Sequence, residues 1–382
     1  MNIVIAPDSF KESLSAIEVA DAIAAGFAEV LPSANLVKIP MADGGEGSAA
    51  TIVAATGGQL QPVRVHDPLG RSMTAHYGLS PDGRTAIIEM AACSGLHLVA
   101  AHERQPLTST SRGMGEAILA ALEGGASRLL LCIGGSASTD GGMGLLQALG
   151  VRFVDDSGVD LGAGGAELVR LAQIDVTALD ARLAHCQIDI ACDVDNPLLG
   201  DHGAAAVFGP QKGASPDDVA LLEQGLSRYA EVMARTLKQD VANLAGAGAA
   251  GGVGAALMAV LKGRLRPGHE IIAATVGLAE HIAHADWVIT GEGRIDSQTI
   301  FGKTPIGVAK LAKQYRKPVI AIAGGYSANA DVVHEHGIDA LFSAVHEPCT
   351  VAEALANAEH NVRQCARNVA QLIKLAQASA LG

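Results

Sequence analysis

Short apolar runs that end in glycine- and acid-rich loops and then pass into helical spacing stand at both ends of this 382-residue chain. That alternation predicts a parallel sheet flanked by helices, which binds ligands at the carboxyl ends of its strands. At the N-terminus Asn2 to Ala6 is an apolar run, Pro7 to Ser13 is turn-like, and Ala16 to Leu31 repeats apolar residues at helical spacing. A second run, Asn35 to Pro40, meets the loop MADGGEG, and a helix is expected over Ser48 to Thr56. The grammar returns late in the chain. Trp287 to Thr290 enters GEGRID, Pro318 to Ala323 enters GGYSAN, and Ala340 to Val345 enters HEP. One long helix is expected from Val351 to Leu381.

The middle reads differently. Hairpin strands are expected at Val63 to His66, Met73 to Leu79 and Ala86 to Met90, joined by PLG and PDG turns. The fold class is therefore α/β: a Rossmann-like three-layer domain with a mostly parallel sheet, interrupted by an inserted second α/β domain. Approximate boundaries are 1–62 plus 282–382 for the discontinuous domain and 63–281 for the insertion, and the length favours two cores over one. The strand Arg128 to Ile133 could belong to either.

Composition excludes several partners. With 27 basic and 40 acidic residues the net charge is −13, and no basic run appears, so nucleic acid is not expected. An uncharged stretch, Ala245 to Leu261, has 17 residues and five glycines; it reads as a glycine loop entering a buried helix, and no membrane segment is expected. Six cysteines without a CxxC pair read as reduced thiols in a cytoplasmic protein. The chain opens on an apolar strand without a basic leader, which disfavours secretion.

The blocks that carry chemistry join backbone able to approach a ligand closely to a carboxylate or lysine, the mixture that a phosphorylated substrate and its metal require. PDSFKES offers Asp8, Ser9 and Lys11, the lysine suited to a carboxylate or phosphate unless it is merely solvated. MADGGEG offers Asp43, Gly44, Gly45 and Glu46 for Mg²⁺ or substrate hydroxyls, with Asp43 as a helix cap the competing reading. GGSASTDGG follows a strand and precedes a helix expected from Met143 to Gly150. Gly134, Gly135, Ser136, Ser138 and Asp140 there read as an anion cradle, or else as a tight turn capped by Asp140. CDVDNPLLG carries Asp193, Asp195 and Asn196, a metal or general-base site against the alternative of an Asx-turn. FGPQKGA adds Gln211 and Lys212.

The richest block, TGEGRIDSQTIFGKTP, supplies Glu292, Asp296, Ser297, Gln298 and Lys303 at a sheet edge. Its GKT imitates a P-loop, yet position 297 is serine where that motif needs glycine, and Pro305 follows. Gly246 to Gly251, GAGAAG, fits the dinucleotide pattern by letter but follows a helical stretch. The thirteen histidines lack metal spacing, and no GxSxG elbow occurs.

Taken in order, PDSFKES, MADGGEG, GGSASTDGG, CDVDNPLLG, FGPQKGA, GAGAAGG and GEGRIDSQTIFGKTP resemble the type I glycerate kinase family from Asn2 to about Val345. Two small departures are Glu12, where the family often has glycine, and Ser138, where it often has threonine. The resemblance implies ATP- and Mg²⁺-dependent phosphorylation of D-glycerate on the 2-hydroxyl, in a cleft between a Rossmann-like domain and a second α/β domain. On that reading Lys11 and the Gly134–Ser138 backbone hold glycerate's carboxylate or the nucleotide phosphates. Asp193 binds Mg²⁺ or acts as base, Asp296 competes for that role, and Glu292, Gln298 and Lys303 complete the cleft. The protein would be a monomer or a homodimer. A nicotinamide-dependent oxidoreductase using GAGAAG and a non-enzymatic sugar-acid sensor are the alternatives.

Overall fold

The computed structural model describes residues 1–300 and 302–380, so Leu381, the expected end of the last helix, lies outside the described residues. The chain divides into two compact units, Met1–Asp43 with Ala54–Thr56 and His269–Gly382, and Gly44–Val53 with Gly57–Gly268.

The first unit holds a five-stranded sheet in the order Ala340–Ser343, Val319–Ala323, Trp287–Gly291, Asn2–Pro7, Asn35–Lys38. Every pairing is parallel. Ile3 lies beside Trp287 and Ile5 beside Ile289, while Ile289 pairs with Ile320, so one face carries an unbroken apolar row. That row packs on helices Ala16–Val30 and Ala358–Ala380. The alternate residues Val4, Val288, Val319 and Ala321 are equally buried and face the helix Thr304–Gln314, which gives the three layers. Burying each such Val or Ile contributes about 2 kcal/mol. The two helices on the first face can cross closely because position 26 is glycine: a Cβ there would stand 2.3 Å from the carbonyl oxygen of Arg363.

The expected single C-terminal helix is two. Val351–Ala356, opened by a Thr350/Glu353 capping box, stops at Asn357, and Ala358–Ala380 follows. Apolar spacing continues through both segments, so the break left no signal in periodicity. The Asn357 side chain bonds back to the Glu353 carbonyl at 2.9 Å, an alternative to helix continuation that asparagine often takes.

The second unit holds a six-stranded sheet, Arg264–Arg266, Gln187–Ala191, Arg128–Cys132, Thr85–Glu89, Ser72–Leu79, Gln59–His66. The first three pairings are parallel and the last two antiparallel. The hairpin strands thus form where alternation and turns predicted them, with Asp67 holding the PLG turn through the amides of Leu69 and Arg71. The strand Arg128–Cys132 belongs to this sheet. Ala249–Ala259 is buried, with left-handed backbone at Ala250, Gly251 and Gly252 leading into its helical part, so a glycine loop does enter a buried helix, and among the described residues no helix is long and apolar enough to cross a membrane.

Candidate active site

In the first unit strand order reverses between Asn2–Pro7 and Trp287–Gly291. The chain steps one way to Asn35–Lys38 and the other way to Val319–Ala323, so the loops leaving the two central strands diverge and open a crevice at their carboxyl ends. Asp8 and Glu292 are the first residues beyond those strands, and the Asp8 amide donates to the Gly291 carbonyl at 2.8 Å.

Two hydroxyls and one lysine organise these carboxylates. Thr304 donates to Asp8 Oδ2 at 2.6 Å, and Thr299 donates to Glu292 Oε1 at 2.6 Å. Lys303 Nζ lies 3.4 Å from Glu292 Oε2. Asp8 is pushed up to about 7, first by desolvation and then by the neighbouring Asp43 carboxylate; the Thr304 hydroxyl and Ser9 amide oppose the rise, and Glu292 adds to it. Burial also raises Glu292, against the pull of Thr299 and Lys303. A buried carboxyl poised near neutrality, as Asp8 is, is suited to proton transfer at physiological pH.

The GKT segment therefore forms no phosphate nest of its own. Lys303 and Thr304 open the helix Thr304–Gln314 and turn their side chains to Glu292 and Asp8. Asp296 sits in a tight turn, accepting from the Gln298 amide at 2.9 Å while its own amide donates to Thr299. Gln298 is exposed, and so is Lys11, on the loop after the first strand. Ser9 donates its amide to Asp8 at 2.7 Å. Asp43 does not cap the helix Ser48–Thr56, whose cap is Gly47.

In the second unit the loops at the carboxyl ends of three parallel strands meet. Gly134 donates to the Gly44 carbonyl at 3.3 Å, and Gly45 lies against Gly134 while Gly44 lies against Ala191. Glu89, at the end of Thr85–Glu89, accepts from the amides of Gly47 at 3.1 Å and of Ala49, which fixes the MADGGEG loop. Glu46 points outward toward His97. Lys212 is 2% exposed and donates to Ser136 Oγ at 2.9 Å and to the Ser138 carbonyl. Burial lowers it to about 7, while Asp140 pulls it back.

The expected anion cradle is thereby narrowed. Ser138, Thr139 and Asp140 have no exposure, so the loop meets solvent through Gly134, Gly135 and the edge of Ser136. Asp140 accepts from Ser111 Oγ and the Ser111 amide, both at 2.8 Å, and from the amides of Gly142 and Gly144, so its carboxylate braces the helix start. The Asn196 side chain is turned to the His202 carbonyl. Gln211 is exposed, and its carbonyl accepts from Arg104. Asp193 is exposed, with Oδ1 accepting from the Gly268 amide at 2.9 Å.

GAGAAG is a packing device. Gly251 is left-handed, and a Cβ on it would stand 2.1 Å from the Ser138 carbonyl oxygen, so the segment presses against the GGSAST loop. No strand leads into it, and the dinucleotide geometry is missing.

Sequence reading missed Glu89, Thr299 and Thr304. Glu89 had a signal, an acid closing the wholly buried run AIIE. Thr304 was set aside with the P-loop imitation. Among the described residues no three His, Cys, Asp or Glu side chains converge as a metal cage.

Comparison with known proteins agrees with this architecture. Residues 3–374 match the Glycerate kinase family. The chain is 53% identical to the Glycerate 2-kinase of Escherichia coli (strain K12) over 380 residues, covering 100% of both. It is 52% identical to the Glycerate kinase of Bacillus subtilis (strain 168), covering 99% of both. It is also similar to the crystal structure of a provisionally named glycerate kinase 2 from Salmonella typhimurium LT2, with TM-score 0.90, 54% identity and 99% of each chain covered.

Proposed function

We propose a specific reaction from the premise that this chain belongs to the glycerate kinase family of phosphotransferases: transfer of the ATP γ-phosphoryl group to the 2-hydroxyl of D-glycerate, giving 2-phosphoglycerate and ADP. The observation that carries the chemistry is Asp8, a carboxyl near neutrality at the switch point, held by Thr304, with Glu292 near it and paired in turn to Lys303. The name of the relative from Escherichia coli, glycerate 2-kinase, supports the choice of hydroxyl.

Phosphoryl transfer needs positioning, cations on the phosphoryl oxygens and an acceptor for the hydroxyl proton. Asp8 Oδ1 or Oδ2 accepts that proton as the bond to phosphorus forms. Lys303 and the exposed Lys11 supply positive charge to phosphate oxygens. The accessible Gly134–Gly135 backbone offers its own unit an anion cradle. Mg²⁺ fits the donor set, because this ion takes one or two carboxylates and completes its shell with phosphate oxygens and water, so a three-residue cage is not needed. Asp193, exposed beyond the end of its strand, would offer this ion a carboxylate, and the ion would supply charge to shield phosphate oxygens. Asp296 then acts through its turn, which sets Thr299 against Glu292. The reduced cysteines support a cytoplasmic site of action.

The test is incubation with D-glycerate, ATP and Mg²⁺, coupled to enolase without phosphoglycerate mutase. Enolase uses 2-phosphoglycerate directly, so an immediate signal is expected. A signal that waits for mutase would mean 3-phosphorylation. Absence of ADP release in either arm would remove the reading.

A further inference from the structure

The edge strand Ala340–Ser343 ends in a loop that bounds a cavity of about 360 Å³, closed on the other side by the two C-terminal helices. Its floor is Asn361, buried to 9% exposure. Among the described residues the Asn361 side-chain amide makes no hydrogen bond to protein, and its polar atoms are accessible from the cavity rather than sealed in the core. Val345 and Pro348 give apolar surface on the strand side, and Glu347, Glu353 and His360 form the exposed rim. The site function described above uses none of these residues.

The chemistry of the lining selects a ligand. Two rim carboxylates repel phosphate but accept from hydroxyls, as acidic residues do from ribose in sheet-edge nucleotide sites. A side-chain amide presents a donor beside an acceptor, the complement of an adenine edge. Val345 and Pro348 offer a small apolar patch to a flat ring within a mostly polar lining, and the volume lies within the range of small-molecule sites. The position fits as well. From Trp287–Gly291 the sheet steps through Val319–Ala323 to Ala340–Ser343, two strand spacings or about 10 Å along the carboxyl edge. The loops along this edge are linked, Gly324 donating to the Glu292 carbonyl at 3.2 Å and Val345 to the Gly324 carbonyl at 3.2 Å.

We propose that this cavity holds the adenine and ribose of the nucleotide, with the Asn361 amide reading the base, while the phosphates extend along the sheet edge toward Lys303. The assignment rests on the kinase reading for its nucleotide. Asn361→Ala is a clean probe, since the amide has no protein partner to lose and alanine is the better helix former.

The experiment compares wild type with Asn361→Ala, using adenosine and inorganic tripolyphosphate as probes of the two ends of ATP. Expected are a melting-temperature rise with adenosine in wild type only, and a KM for ATP about tenfold higher in the variant. The kcat, the KM for glycerate and inhibition by tripolyphosphate should be unchanged. A variant with wild-type KM for ATP and an undiminished adenosine shift would overturn the assignment, as would equal loss of tripolyphosphate binding. If wild type releases no ADP with glycerate yet adenosine binding still depends on Asn361, the kinase reading fails and the nucleoside site stands.

Discussion

Asp8 and Lys212 are two groups whose environments move them toward neutrality from opposite directions, and their pH signatures differ in sign. Asp8 rises from 3.8 to about 7, so the folded state holds a proton that the unfolded state has released. Stability therefore falls as pH increases from about 4 to 7 on account of this residue. Activity should run the other way, kcat/KM rising through about pH 7 as the carboxyl ionises to accept a proton. Asp8→Asn should abolish that limb, lower kcat roughly a hundredfold or more, and melt higher than wild type at pH 8 but not at pH 4. Paired rate profiles and melting curves check both; a variant that keeps wild-type kcat removes Asp8 as the base. Lys212 falls from 10.5 to about 7, so above pH 7 the unfolded state binds the extra proton. Its contribution to stability rises from pH 7 to about 10.5, and Lys212→Met should remove that rise while leaving Ser136 Oγ and the Ser138 carbonyl unpartnered. Denaturant titrations at pH 7 and pH 9.5 measure the difference.

At the scale of elements, loops are fixed by contacts distant in sequence, which is where sequence reading thins out. Glu89 holds the loop after Asp43 from another strand, and Glu89→Ala would leave the Gly47 and Ala49 amides unpartnered, a cost of about 1–3 kcal/mol each in equilibrium unfolding. Glycine positions divide in the same way. Gly57 and Gly251 are both left-handed, but a Cβ at Gly57 meets nothing within 4 Å. Gly57→Ala should cost about 1 kcal/mol, and Gly251→Ala about 3 kcal/mol or more, because the second also collides with the Ser138 backbone. Equal losses in the two variants would mean that GAGAAG does not serve to pack against the GGSAST loop. The strands and most helices were legible because alternation, helical spacing and turn residues act locally. The inward turn of Ser138 and Asp140 was not, because the partner Ser111 is 29 residues from Asp140. Nor was the break at Asn357, where a side-chain bond decides against continuing the helix.

For the whole molecule, parallel strands at both ends of the chain announced a shared sheet, and the structure assembles it with the strand reversal between Asn2–Pro7 and Trp287–Gly291. What local pattern could not supply was the position of that reversal, since strand order is a choice among packings of equally apolar runs. The reversal brings Asp8 near Glu292 from positions nearly 300 residues apart, and Glu292 adds to the rise that burial and Asp43 impose on Asp8. On the proposed reaction Mg²⁺-ATP binds the folded chain, which would stabilise it by about 2.7 kcal/mol at a hundredfold excess over Kd. That corresponds to several degrees in melting temperature for a protein of this size. ATP with Mg²⁺ should give this rise, EDTA should reduce it to the effect of ATP alone, and NADPH should give none, because GAGAAG is filled by the protein's own backbone. A rise with NADPH and none with ATP and Mg²⁺ would return the oxidoreductase alternative and remove the phosphotransfer chemistry assigned to Asp8.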